Sequence, residues 1–135
     1  MRIIKKEIVI NAPVAMVWEH VTDSKKIAGW LMPNDFEARV GGEFWLECGD
    51  GHGKISAVVR EIVPGQKLVY TFKSDDTKVE TLVTITLAKE GKGTRLTLIH
   101  SGWDALPPGE QGIADKFDGG WGGFLGKLQK QFSPG

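Results

Sequence analysis

His100 is the titratable side chain best placed to do chemistry in this sequence. In the run Thr94 to Ser101, residues Leu96, Leu98 and His100 share one face of a strand, so an imidazole ends an otherwise apolar row. Two readings stand for it. One is a core histidine bonded to backbone at the sheet edge. The other is a polar contact that orients a ligand or, further, acts as a general acid or base. Ser101, Tyr70 or a ligand oxygen would serve as its hydrogen-bond partner. Tyr70 lies on the same strand face as Leu68 and Phe72, and its hydroxyl either anchors a ligand or reaches solvent. His20 and His52 point to no chemistry.

Metal-ligating types gather only at Glu47-Cys48-Gly49-Asp50-Gly51-His52. That run is a glycine-rich turn, where Asp serves backbone bonding, and no second ligand group is evident elsewhere, so no metal site is expected. The chain contains no HExxH, no paired-cysteine zinc spacing and no GxxxxGK[ST] phosphate cradle, and no cofactor is expected.

The elements that would hold these residues follow from periodicity. Residues 3–10 read as a strand with Ile4, Ile8 and Ile10 on one face. Asn11-Ala12-Pro13 starts a short helix with Val14, Val17, Trp18 and Val21 on its apolar side. Thr22-Asp23-Ser24 caps a second, ending near Trp30 before Pro33. From 36 to 101 the chain reads as consecutive antiparallel strands, turned at Gly49-Asp50-Gly51, Pro64-Gly65, Asp75-Asp76 and Gly91-Lys92-Gly93. Trp103 to Gly109, with Pro107-Pro108, is a loop, and a long helix runs from about Glu110 to Phe132. In that helix Phe117, Trp121, Phe124, Leu125, Leu128 and Phe132 form one face, while Gly119, Gly122, Gly123 and Gly126 recur about half a turn away. Each interior glycine costs roughly 0.8–1 kcal/mol relative to alanine. Such a helix is either permanently docked on a core or a softened lid over a cavity. A one-faced antiparallel sheet needs a cover, and only this helix is long enough to supply it. The fold expected is α+β: a curved antiparallel sheet of six to seven strands around a long C-terminal helix, with two short helices after the first strand.

Length and charge bound the function. The 135 residues fit one domain, 1–135, and the equal numbers of basic and acidic residues (17 each) leave no footprint for nucleic acid. No apolar run approaches the ~18 residues of a membrane span, and the charged N-terminus lacks a signal-peptide pattern. Cys48 is the only cysteine, which points to a cytoplasmic setting.

Ile8-Val9-Ile10-Asn11-Ala12-Pro13 followed by Val17-Trp18 resembles the opening of the START-like (SRPBCC) superfamily, in the group homologous to the activator of the 90-kDa heat-shock-protein ATPase. The resemblance continues through Ile27-Ala28-Gly29-Trp30, Gly41-Gly42-Glu43-Phe44, the run from Glu61 to Phe72, Gly93-Thr94-Arg95-Leu96-Thr97-Leu98, His100-Ser101-Gly102-Trp103 and Gly120-Trp121. It implies a helix-grip fold with a cavity between sheet and long helix that takes an apolar or aromatic small molecule. Residues expected around that cavity are Trp30, Phe36, Trp45, Trp103 and Trp121 at its mouth, and the loop over 31–36, with Met32, either rims the entrance or is a connector tied down by Asn34 and Asp35 turn bonds. Tyr70, Phe72, Val83, Ile85, Leu98 and His100 are expected from the sheet, and Trp121, Phe124, Leu125 and Leu128 from the helix. The function expected is non-catalytic binding of a lipid-, polyketide- or flavonoid-like molecule. The alternatives are a polyketide cyclase or dehydratase using His100 and Tyr70, and a stress-related co-chaperone with a heat-shock ATPase as partner.

Overall fold

Strict alternation builds the centre of the molecule. In Glu80–Glu90 the odd-numbered Thr81, Val83, Ile85 and Leu87 are buried while Leu82, Thr84 and Thr86 are half-buried on the other face. Gly93–Ser101 does the same with Thr94, Leu96, Leu98 and His100. The computed structural model describes the chain apart from residues 1–2, 48–52, 75–78, 107–108, 110–111 and 133–135. In order the elements are β1 (Ile4–Ile10), α1 (Val14–Thr22), α2 (Ser24–Ala28), β2 (Glu43–Glu47), β3 (Lys54–Val63), β4 (Lys67–Ser74), β5 (Glu80–Glu90), β6 (Gly93–Ser101), a 3-10 turn (Trp103–Ala105) and α3 (Gly112–Lys130). The hairpin turn holding the Cys48, Asp50 and His52 grouping, the Asp75-Asp76 turn, Pro107-Pro108 and the expected helix start at Glu110 lie outside the described residues.

The strands form one six-stranded sheet in the order β1-β6-β5-β4-β3-β2, antiparallel throughout. Its inner face carries the core, and α3 covers it through Ala114, Trp121, Leu125 and Leu128. This is the α+β helix-grip expected from the sequence. Two details differ from expectation. Residues 36–42 make no strand; they bend into β2, and Gly41 there sits at φ 82°, a left-handed conformation that suits glycine. The C-terminal helix is described over Gly112–Lys130, and its chain continues past Lys130 as a turn instead of reaching Phe132 as helix.

Register fixes which inner side chains meet. Val59 pairs with Tyr70, Tyr70 with Val83, Val83 with His100 and His100 with Ile4, so these residues form one row across five strands. Tyr70 and His100 are thus separated by Val83, two strand spacings or roughly 9.5 Å. Gly102, directly after β6, adopts φ 97°, and a Cβ there would lie 3.2 Å from the Thr81 Cα. Glycine is required at this point, and it lets the chain close down beside Thr81.

Candidate functional site

His100 is fully buried, and both its ring nitrogens are engaged. The Trp121 indole N–H of α3 donates to Nδ1 at 2.9 Å, so Nδ1 carries no proton. The Thr81 hydroxyl lies 2.6 Å from Nε2 and gives its own proton to the Phe72 carbonyl at 2.7 Å. Nε2 therefore holds the ring proton and donates it to Thr81, which fixes the neutral tautomer. Burial holds the imidazole down to about 3, far below its ordinary value. The expected partners, Ser101, Tyr70 or a ligand oxygen, are replaced by Thr81 and Trp121. Of the two readings of His100, the geometry matches a core histidine. It differs only in that the partners are side chains from β5 and α3 in place of backbone.

Around His100 the protein packs its own rings. Phe72, Trp103, Phe117 and Trp121 lie with centroids 4.4–6.0 Å from the imidazole, in tilted or edge-to-face contact. Phe124 meets Trp121 edge-on at 6.2 Å. The Trp103 indole N–H donates to the His100 carbonyl at 3.1 Å. This end of the grip is therefore filled. Val83, Ile85, Leu98, Leu125 and Leu128 are buried in the same core, as expected of inner-face positions.

Trp30 and Phe36 stand elsewhere. They wall a separate void of about 10 Å³ with Leu31, Phe44, Leu46 and Tyr70, room for about one water. The expectation that Trp30, Phe36, Trp45, Trp103 and Trp121 surround one mouth is thus corrected: register divides them between two clusters and one outer position. Trp45 is that outer position. In β2 its neighbours Phe44 and Leu46 are buried, so the pleat turns Trp45 to the opposite face, where the Lys54 ammonium lies 5.0 Å from its ring. Between the inner wall and α3 the expected space is taken up by the rings around His100, and the small void lies apart from α3, against α1, α2 and the loop that follows.

Tyr70 is buried, and burial pushes its hydroxyl pKa up. Its ring packs edge-on to Phe44 at 5.2 Å, and the hydroxyl has no hydrogen-bond partner among the described residues. Met32 is half-buried in the loop over 31–36, which is tied down firmly. Asn34 Nδ2 donates to the Ser24 and Met32 carbonyls, and Asn34 Oδ1 accepts from the Phe36 N–H. The Ser24 hydroxyl donates to the Asn34 carbonyl, and the Trp45 N–H donates to Asp35 Oδ1 at 2.7 Å. This is the connector reading of the loop, with no slack for a moving rim.

Thr81 was missed by sequence reasoning. It shares the parity of Val83, Ile85 and Leu87, which was signal enough to face it inward, but its hydroxyl reads as an outer-face residue. Chemically, the inner wall is apolar and aromatic, with one polar network spent on itself and one hydroxyl left over. Among the described residues, no group of three or more His, Cys, Asp and Glu side chains could hold a metal ion.

Residues 11–133 match the family model described as Activator of Hsp90 ATPase homolog 1-like protein. Among solved structures the chain is similar to protein MLL2253 from Mesorhizobium loti, with 28% identity over 96% of this chain and 95% of that one, and a TM-score of 0.85. Protein BH1534 from Bacillus halodurans is 30% identical over 98% of both chains, with a TM-score of 0.80. The Aha1 dimer from Colwellia psychrerythraea shares the fold at 16% identity, covering 98% of this chain and 96% of that chain, with a TM-score of 0.82. No curated protein matches the chain.

Proposed function

The chain belongs to the Activator of Hsp90 ATPase homolog 1-like family, and on that premise we propose that it is a non-catalytic binding domain for a small hydrophobic, ring-bearing molecule of lipid-, polyketide- or flavonoid-like character. The observation that carries this reading is the inner wall itself. It is apolar and aromatic, and its one histidine is bonded at both nitrogens and neutral, so no acid–base pair stands ready for turnover. A cyclase or dehydratase would need His100 to exchange protons, which its two hydrogen bonds and lowered pKa oppose. A co-chaperone role has no comparable observation in its favour.

Because the closed form is packed, entry requires movement, and α3 is the element built to move. Gly119, Gly122, Gly123 and Gly126 have nothing within 4 Å of where a Cβ would stand, so packing does not demand glycine there. The helix bears their cost in helix stability without a steric reason. Lifting α3 would withdraw Trp121, Phe124 and Leu125 from the sheet, and a guest would take their place. In this reading residues 1–135 act as one cytoplasmic domain whose partner is the small molecule, with neither nucleic acid nor membrane insertion involved. The balanced charge and single cysteine support it, and no helix among the described residues is long and apolar enough to cross a membrane.

A two-dimensional NMR titration with a panel of lipids, flavonoid-like phenols and steroids tests the proposal. Shifts are expected to cluster at Trp30, Tyr70, Phe72, His100 and Trp121, while the outward Trp45 indole stays still. Perturbations scattered over the outer surface, with the inner residues unmoved, would overturn it.

A further inference from the structure

Tyr70 is the exception among the polar groups of the inner wall. His100, Thr81, Trp103 and Trp121 all pair within the protein. Among the described residues, no fully sealed side-chain nitrogen or oxygen lacks a partner. Among the described residues the Tyr70 hydroxyl has no partner, so it must face accessible space, and Tyr70 lines the void of about 10 Å³. A lone water would be held poorly there. The walls are apolar, and the Trp30 indole N–H is already given to the His20 carbonyl at 2.8 Å. Tyr70 would be its only side-chain partner, against the roughly two to four that hold a buried water. A buried polar group left in this state calls for an explanation.

We infer that Tyr70 is the polar anchor of the ligand site and selects a neutral ring compound bearing a hydrogen-bond-accepting carbonyl. This rests on the binding reading above. Burial keeps the phenol protonated, so the hydroxyl is a standing donor. A carbonyl needs only a donor, and one hydrogen bond completes it. A ligand hydroxyl would bring a proton of its own, and with a single protein partner one of the two protons would stay unpaired in an apolar cage. A carboxylate or ammonium would find no counter-charge on the walls of the void. Position agrees with chemistry. Tyr70 is one inner-face step along β4 from Phe72, whose ring lies against Phe117 and Trp121 of α3. A molecule seated under α3 at Phe72 would have to extend one step along β4 into the void to present its carbonyl to the hydroxyl.

The test uses the whole protein with acetophenone and α-methylstyrene, which differ by C=O against C=CH₂, followed by NMR titration of wild type and Tyr70→Phe. Tyr70→Phe is expected to weaken acetophenone by roughly three- to tenfold, the worth of one net hydrogen bond, and to leave α-methylstyrene within about twofold. Equal changes for both probes, or no change for either, would overturn the anchor while sparing the binding reading. Binding of neither probe to wild type would overturn the binding reading and the anchor with it. Thermal unfolding gives a ligand-free check. Removing an unpartnered hydroxyl is expected to leave the midpoint of Tyr70→Phe unchanged or raised, and a lowered midpoint would reveal a partner inside the protein and end the proposal.

Discussion

His100 makes folding sensitive to acid through a single ring. The unfolded chain takes up its proton near the ordinary value of 6.5, whereas the folded protein refuses it down to about 3. Between those values the unfolded state holds more protons, so stability falls as the pH drops through the window and is retained in full above it. The slope from this group is about 1.4 kcal/mol per pH unit at most. Urea unfolding of wild type and His100→Gln at pH 7, 5.5 and 4.5 is expected to show a steeper loss in wild type; parallel losses would remove the account. Asn34 is the other decisive single residue. Its amide makes three hydrogen bonds to the loop and to Ser24, and Asn34→Ala is expected to lower stability by about 1–3 kcal/mol in urea titration. Legibility at this scale was uneven. The inward faces of Leu98, His100 and Tyr70 followed from a period of two, but Trp45 did not, since neighbouring positions on a strand face opposite ways. The joining of Thr81, His100 and Trp121, drawn from three different elements, could not be read from local pattern.

The elements divide into firm and soft. Strands β4, β5 and β6 are paired on both sides and carry the buried rows, whereas α3 is held by one face and by scattered polar ties. Those ties include Trp121 to His100, Gln129 Nε2 to the Val9 carbonyl at 2.8 Å and, in the turn just past the helix, Gln131 Nε2 to the Gly29 carbonyl at 3.2 Å. Replacing Gly119, Gly122, Gly123 and Gly126 together by alanine is expected to stabilise α3 by roughly 3–4 kcal/mol, since the four positions have room. If opening of α3 admits the ligand, the on-rate in this variant should fall by about a hundredfold or more. Raised stability with an unchanged on-rate would remove the gating role. The aromatic face and the glycine face of this helix were legible in its sequence. Whether the space beneath it was vacant was not, because that depends on how side chains from β4, β6 and α3 share one volume.

At the scale of the whole molecule, the sheet ends in two guarded edges. On β2 the Trp45 and Glu47 N–H groups donate to Asp35 Oδ1 and the Pro33 carbonyl, and on β1 Gln129 reaches the Val9 carbonyl. Opening an edge should invite strand-to-strand association. Asp35→Ala is expected to self-associate more than wild type in sedimentation velocity, and identical profiles would show the guard to be unnecessary. The order of the elements was readable because one-faced strands followed by one long amphipathic helix leave few ways to close a core. One contact carries a consequence for how the molecule can be observed. The indole of Trp121 sits in a dry site with its N–H tied to an uncharged imidazole; were the helix to lift as proposed, that indole would meet water and its emission would shift to the red. With Trp18, Trp30, Trp45 and Trp103 exchanged for phenylalanine, the protein would signal each unseating of its own clasp by colour, with no dye attached.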